Sequence, residues 1–234
     1  MPTLAEVVGP HEDDLVDVQF GFEPDRVLEG YRNARFPMWL DEGVLGWFEP
    51  RWRALLRLEG DLSRIAHRSV LREVDRASVR IDTAFDAVLE ACADPARPGA
   101  WIDATFRRFY RELHARGLAH SVECWLGGRL VGGLFGLGLG RCFVGESMVS
   151  LVPNASKVAF LGLVVAAKDA GYGVIDGQWM TAHLALLGFE AVARAEARAL
   201  LRPLLAEPNR PLVRGDLGLG RERLRAALRH PLAT

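Results

Sequence analysis

The sequence predicts a mixed α+β fold in which helices pack on a largely antiparallel sheet. Three observations carry that reading. "AHSVECWL", "RLVGGLFGLGLG" and "RCFVGESMVS" form a meander with a two-glycine turn at Gly127-Gly128. A strongly amphipathic segment precedes the meander. A long apolar helix, "NASKVAFLGLVVAAKDAG", and a further strand, "YGVIDGQ", follow it.

In chain order, residues 1–60 are irregular. A short helix is expected near 24–33, then loops and two short strands around Trp39, Trp47 and Trp52. Residues 83–93 have helical spacing at Phe85, Val88 and Leu89. Residues 101–116 place Ile102, Phe106, Phe109 and Leu113 on one face, and Gly117 ends that helix. In the apolar helix Asn154 or Ser156 serves as the N-cap and Gly171 as the stop. "TAHLALLGF" reads as a short helix and turn. "EAVARAEARALL" begins as a strand and ends as a helix. Pro203, Pro208 and Pro211 mark a loose segment, and 217–229 is a last amphipathic helix.

Composition removes several function classes. The 234 residues are half hydrophobic and a quarter charged, an ordinary globular balance. The longest apolar run, 158–167, is too short to span a bilayer. An acidic N-terminus without an apolar core predicts a cytoplasmic protein. Three cysteines without C-x-x-C spacing argue against a disulfide framework or zinc. The glycines of "VGGLFGLGLG" follow no parallel βαβ strand, so they are not a dinucleotide fingerprint, and no P-loop is present. Net charge is −1, yet residues 51–80 hold eight Arg against four acids. Arg64, Arg68, Arg72, Arg76 and Arg80 recur every four residues. On one helix they make a stripe that is either a phosphate track or a solvated face relieved by Glu73 and Asp75.

"CFVGESMVS" places Glu146 within an apolar strand, where a carboxylate is costly unless it is paired or hydrogen-bonded. Arg141, Lys157 or His120 could neutralise it inside the fold, or a substrate cation could do so. Asp176 and Gln178, two apart in "IDGQ", share one face of a regular strand. They could serve a site or cap the following helix.

Segments from Trp101 to Gly188 resemble the leucyl/phenylalanyl-tRNA–protein transferases. They are L-H-x-x-G-x-A-H-S-V-E-x-W, L-V-G-G-x-x-G, F-x-G-E-S-M-x-S, N-A-S-K and I-D-x-Q-x-x-x-x-H-L, in that order. "YRNARFPMW" matches the family's Y-x-x-G-x-F-P-W more loosely. The resemblance implies an N-acetyltransferase-like C-terminal domain and a small N-terminal one, divided here as 1–70 and 71–234 with a C-terminal extension. It implies transfer of Leu or Phe, with Met as a further donor, from aminoacyl-tRNA to the α-amine of proteins that begin with Arg or Lys. That step marks them for degradation by the N-degron route, without metal or coenzyme and without a membrane. Rival readings are a related-fold acyltransferase with another acyl donor, or a non-catalytic tRNA- or peptide-binding module. The turn "LVPNASK" lacks an acyl-CoA pyrophosphate loop, and Asp176, Gln178 and Glu146 are all present, which disfavours both.

The resemblance also assigns residues. Asp176 and Gln178 are the catalytic pair, with Gln178 orienting the amine and Asp176 polarising it. Glu146 and Asp176 bind the acceptor's positive charge. Leu134, Phe143, Met148, Leu163, Ala167 and Ile175 form the donor side-chain pocket, or are simply core. Trp101 and Trp39 (or Met38) stack on the terminal adenosine, and Arg64, Arg68 and Arg72 meet acceptor-stem phosphates. Leu163 and Ala167 stand where the family often has aromatic rings, so the pocket is expected to be wide unless Phe189, in place of a small residue, refills it.

Overall fold

The computed structural model describes residues 3–97 and 99–229. Its first part comprises α1 (Leu4–Val7), β1 (Leu15–Phe20), α2 (Pro24–Arg32), β2 (Phe36–Asp41), β3 (Val44–Phe48) and β4 (Trp52–Arg57). Pro24 sits in the first turn of α2, where a missing N–H removes no helical bond. Two strands were expected among the loops here, and four are present. Pro37 and Gly46 depress strand propensity locally, but cross-strand pairing supplies what the sequence lacks.

Next come α3 (Arg68–Val74), β5 (Ser78–Ile81), α4 (Phe85–Cys92) and α5 (Ala104–Ala115). Asp103 caps α5, its carboxylate accepting the Phe106 N–H at 2.8 Å. The meander is β6 (Ala119–Leu126), β7 (Arg129–Leu139) and β8 (Cys142–Ser150). Gly127 and Gly128 both take positive φ (55° and 80°), as a primed hairpin turn requires. Then follow α6 (Ala155–Asp169), β9 (Val174–Trp179), α7 (Ala182–Leu186), β10 (Glu190–Ala193), α8 (Arg194–Ala206), β11 (Gly215–Asp216) and α9 (Arg221–Arg229).

Neither expected residue caps α6 through its side chain. Asn154 adopts a left-handed conformation, and the Ser150 hydroxyl accepts the Ser156 N–H at 3.0 Å instead. Pro203 does not begin a loose segment but lies inside α8. Leu201 and Leu205, each 1% exposed, hold that helix on the sheet across it.

The strands form two sheets. A small one has the order β1-β3-β2. A large one runs β10-β4-β9-β8-β7-β6-β5-β11 and is antiparallel throughout except for the parallel pair β8–β9, which α6 connects. This is the mixed, largely antiparallel sheet the sequence predicts. β4, grouped by sequence with the small N-terminal part, lies inside the large sheet between β10 and β9. One core sits between the sheet and α3, α6 and α9. The other lies between the opposite face and α2, α4, α5 and α8. The apolar run 158–167 is the body of α6, buried on all sides between sheet and helices. No described helix is long and apolar enough to cross a membrane.

Two register shifts decide where the site forms. On β7–β8 the pairing steps from Phe135↔Ser147 to Gly136↔Gly145, so Glu146 is an extra residue bulged out of the ladder. On β4–β9 it steps from Leu55↔Asp176 to Arg53↔Trp179, and the extra residue falls at Gly177-Gln178. Gly136 makes the first bulge possible. A Cβ there would lie 2.5 Å from the Phe143 ring and closer still to the Val144 carbonyl oxygen. Gly136→Ala is therefore expected to destabilise the protein by about 1–3 kcal/mol. Urea unfolding measures this, and an unchanged midpoint would show that the bulge tolerates a methyl group.

Candidate active site

Parallel pairing between β8 and β9 runs Cys142↔Val174, Phe143↔Ile175, Val144↔Asp176 and then stops. Past that point Glu146 bulges on one strand and Gln178 turns on the other, and the strands part. A cavity of about 210 Å³ opens in the gap. Leu134, Phe143, Met148, Leu163 and Ile175 line it, five of the six expected donor-pocket residues. Ala167 does not. It lies one helical turn beyond Leu163 and is fully enclosed in the core, so its small size opens no wall of the cavity. Phe160 and Phe189, 5.6 Å apart by ring centroids, also line the cavity. Phe189 thus occupies the space that the missing aromatics were expected to leave. Gly177 admits it, because a Cβ at that position would meet the Phe189 ring at 3.0 Å and Leu184 at 2.9 Å.

Asp176 is 1% exposed and both of its oxygens are engaged. Arg53 donates through Nε at 2.9 Å to Oδ1 and through Nη2 at 2.6 Å to Oδ2. Oδ1 also accepts the Gln178 N–H at 2.9 Å. Arg53, itself 3% exposed, sends Nη1 to the Ala34 carbonyl and lies 5.0 Å over the Phe36 ring. Asp176, expected to help bind the acceptor's charge, already has its own charge balanced by a bidentate, buried partner. Nor do Asp176 and Gln178 share a regular strand face. Gln178 adopts φ 64°, an uncommon left-handed conformation for a non-glycine residue, and its side chain turns toward Glu146.

Glu146 is in the opposite situation. It lines the cavity and is half-buried, and its contacts are neutral. Tyr110 donates its hydroxyl to Oε2 at 2.8 Å, and Gln178 Nε2 lies 3.3 Å from Oε1. The expected internal partners are elsewhere: His120 bonds Asp82 and Arg141 pairs with Glu207. Burial raises the Glu146 carboxyl to about 7, partly offset by hydrogen bonding to the tyrosine hydroxyls, of which Tyr110 is in direct contact, and to Gln178, while the Asp176 charge adds to the rise. His183 stands at the cavity rim with Nε2 3.2 Å from Met148 Sδ. Burial and Lys157 lower its pKa.

Trp39 and Trp101 are brought together. Both are half-buried against Phe106, at 5.9 and 5.2 Å between centroids, and Trp101 lies 6.3 Å from Tyr110. The arginine stripe is not one helix. Arg64 lies in a separate turn and pairs with Glu190, and Arg80 lies on β5. Period-four spacing continues across the breaks at 66–67 and 75–77 by coincidence. Arg68 and Arg72 alone share α3, both exposed and, among the described residues, without an acidic partner. Sequence reasoning missed Arg53, Tyr110 and Tyr31, since nothing in local periodicity marks a partner 123 residues away.

Comparison with known proteins agrees with the sequence motifs. The family model described as "Leucyl/phenylalanyl-tRNA protein transferase" matches residues 57–202, and that of its N-terminal domain matches residues 21–51. A leucyl/phenylalanyl-tRNA–protein transferase of Novosphingobium aromaticivorans is 45% identical over 204 residues, covering 85% of this chain and 75% of that one. Proteins of the same name from Pseudomonas putida strain KT2440 and Salinibacter ruber are 44% and 45% identical, each over 80% of this chain and 83% and 82% of their own.

The raised Glu146 pKa has a consequence for stability. A carboxyl whose pKa is higher folded than unfolded stabilises the fold fully below its unfolded value of 4.5. That contribution is lost as pH rises through about 7. Glu146→Gln removes the dependence. The variant is expected to gain thermal stability over the parent at pH 8, by at most about 3 kcal/mol, and to gain little at pH 4. Thermal melts at the two pH values measure it. An equal difference at both would mean that Glu146 is not strained by its ionisation.

Proposed function

The chain belongs to the leucyl/phenylalanyl-tRNA protein transferase family and is a transferase that moves an aminoacyl group from tRNA to protein; from that premise we propose that the donors are Leu-, Phe- and Met-tRNA and that the acceptors are proteins beginning with Arg or Lys. In this reading the protein acts in the cytoplasm and feeds the N-degron route. The observation that carries it is Glu146, a carboxyl with no cationic partner among the described residues, set beside an apolar cavity and the amide of Gln178.

The reaction is aminolysis of an ester. The acceptor's α-amine has a pKa of about 7.7–8.0, so a useful fraction is already neutral near pH 7 and no strong base is needed. The site has to orient the amine, hold the aminoacyl side chain and remove one proton. The cavity takes the side chain of the donor amino acid. With Nε2 directed at Glu146, Gln178 leaves its amide oxygen free to accept an N–H from the incoming amine. Asp176 acts one step back. Through the Gln178 backbone and Arg53 it fixes the left-handed turn that aims Gln178. Glu146 attracts the α-ammonium. Trp101 and Trp39, beside the same cluster, form an aromatic platform for the terminal adenosine, and Arg68 and Arg72 contact acceptor-stem phosphates.

The direct test is transfer of labelled Leu or Phe from its tRNA to a peptide beginning with Arg. Gln178→Ala is expected to lower turnover by about 10²–10³-fold while tRNA affinity stays near the parent's. Turnover at the parental rate would remove Gln178 from the site. Replacing Arg68 and Arg72 together by Gln is expected to weaken tRNA binding and to reduce the log–log salt slope by about 0.9 per lost contact. A parental slope would make α3 a solvated face.

A further inference from the structure

We propose that Glu146 is the proton acceptor of the transfer, and that the hydroxyl of Tyr110, backed by that of Tyr31, is the positioning group that keeps it ionised and aimed. The proposal rests on the transfer reaction argued above and assigns the step at which its proton moves.

The geometry excludes the other carboxylate. Asp176 accepts three hydrogen bonds, two from Arg53 and one from the Gln178 N–H, and a proton placed on it would leave the buried Arg53 charge without its counter-charge. His183 is exposed at the rim and rests against Met148 Sδ rather than against Gln178. Glu146 has one oxygen filled by a short hydrogen bond from Tyr110. The other meets only the longer contact from Gln178 Nε2, which leaves it room for a proton next to the place where Gln178 would hold the amine.

The tyrosines have a defined polarity. Burial, followed by the Glu146 charge, raises both hydroxyl pKa values well above the ordinary phenol range, so both remain protonated donors. Tyr110 spends its one proton on Glu146 Oε2 at 2.8 Å. The 3.2 Å contact between the two hydroxyls is then a donation from Tyr31 to Tyr110. Each donation strengthens the next, and the chain ends on the carboxylate. α2 and α5 thus deliver two buried dipoles to a charge that has no counter-ion among the described residues.

The step balances without a co-reactant. The acceptor nitrogen forms a bond to the ester carbonyl carbon and gives its proton to Glu146. The bond from that carbon to the ribose oxygen breaks. The oxygen leaves with the proton returned from Glu146, which regenerates the carboxylate.

The groups around Glu146 are Asp176 with Arg53, Gln178, Tyr110 and Tyr31, with His183 at the cavity rim, its pKa lowered by burial and by Lys157. Turnover with saturating tRNA and peptide should rise with pH through about 7, as Glu146 ionises, and then level off. Tyr110→Phe removes a donor that favours the ionised form. The acidic limb should move up by about one pH unit, with little change in the KM for peptide. Tyr31→Phe should move it less, in the same direction. Glu146→Gln should lose about 10²–10⁴-fold in turnover and lose the limb altogether. The limb should stay in place when the peptide is changed for one whose amine has a lower pKa. A limb that follows the amine, or a Glu146→Gln variant that raises only the peptide KM, would overturn the proposal and leave Glu146 as a binding group within an intact transferase reading. A parent enzyme that transfers nothing from any aminoacyl-tRNA would instead bring down that reading itself.

Discussion

Everything at the site hangs from one buried ion pair, Arg53 with Asp176. It ties β4 to β9 at the point where their register slips, reaches Ala34 at the end of α2, and through Asp176 Oδ1 holds the Gln178 N–H. A pair of this kind stabilises little in net terms, because desolvation of two charges cancels most of their attraction. Its value lies in what it forbids. Loss of either partner would strand a full charge in the core, so both stay, and the left-handed turn at Gln178 stays with them. Backbone strain of roughly 1–3 kcal/mol at such a residue persists only where its surroundings over-determine it. Here the carboxylate that accepts the strained residue's own N–H does so.

The second constraint is steric. A regular β8–β9 ladder would close the sheet and leave no cavity. The bulge at Glu146 needs Gly136 opposite it, and the one at Gln178 needs Gly177, whose absent Cβ makes way for Phe189 and Leu184. Glu146, which lines the cavity, and Gln178, whose amide reaches it, thus fall at the irregular points of their strands, free of the alternation that would have turned one of them away. Arg53 pairs with Asp176, whereas among the described residues Glu146 has only neutral hydrogen-bond partners, and burial raises its carboxyl to about 7, within reach of proton exchange near neutral pH.

Much of the fold was legible because its signals are local. The Gly127-Gly128 hairpin, the 3.6-residue face of α5 and the apolar run of α6 each declare themselves within a window of a dozen residues. Resemblance to a family placed Glu146, Asp176, Gln178 and five of the cavity's lining residues. Arg53 was hidden in plain view among eight arginines, since its partner lies 123 positions away. The bulges were hidden for a different reason. A one-residue slip reverses which face a side chain takes, and register is fixed by pairing that a single strand's sequence does not contain. Hence the same-face reading of Asp176 and Gln178 failed, although the two residues stay bonded to each other through the Gln178 N–H. The arginine stripe failed in reverse: a period of four persisted through two interruptions of the helix, and only Arg68 and Arg72 share α3.

The apolar cavity and the unpaired carboxyl also act on each other. Glu146 owes its raised pKa first to burial, and in the proposed reading a donor side chain seated among Phe143, Leu163 and Phe189 would remove further water from its surroundings. On that reading the carboxylate becomes a better proton acceptor once the ester is in place, and water that would otherwise hydrolyse the ester is excluded. The neutral contacts of Glu146 suit this arrangement better than a salt bridge would. A lysine or arginine partner would hold the carboxyl ionised but too weakly basic to take a proton from an amine, whereas hydroxyls and an amide hold it in place and leave its pKa within about one unit of the amine's. In the proposed reading, a carboxyl that has no cationic partner among the described residues is the one that the substrate's ammonium would compensate.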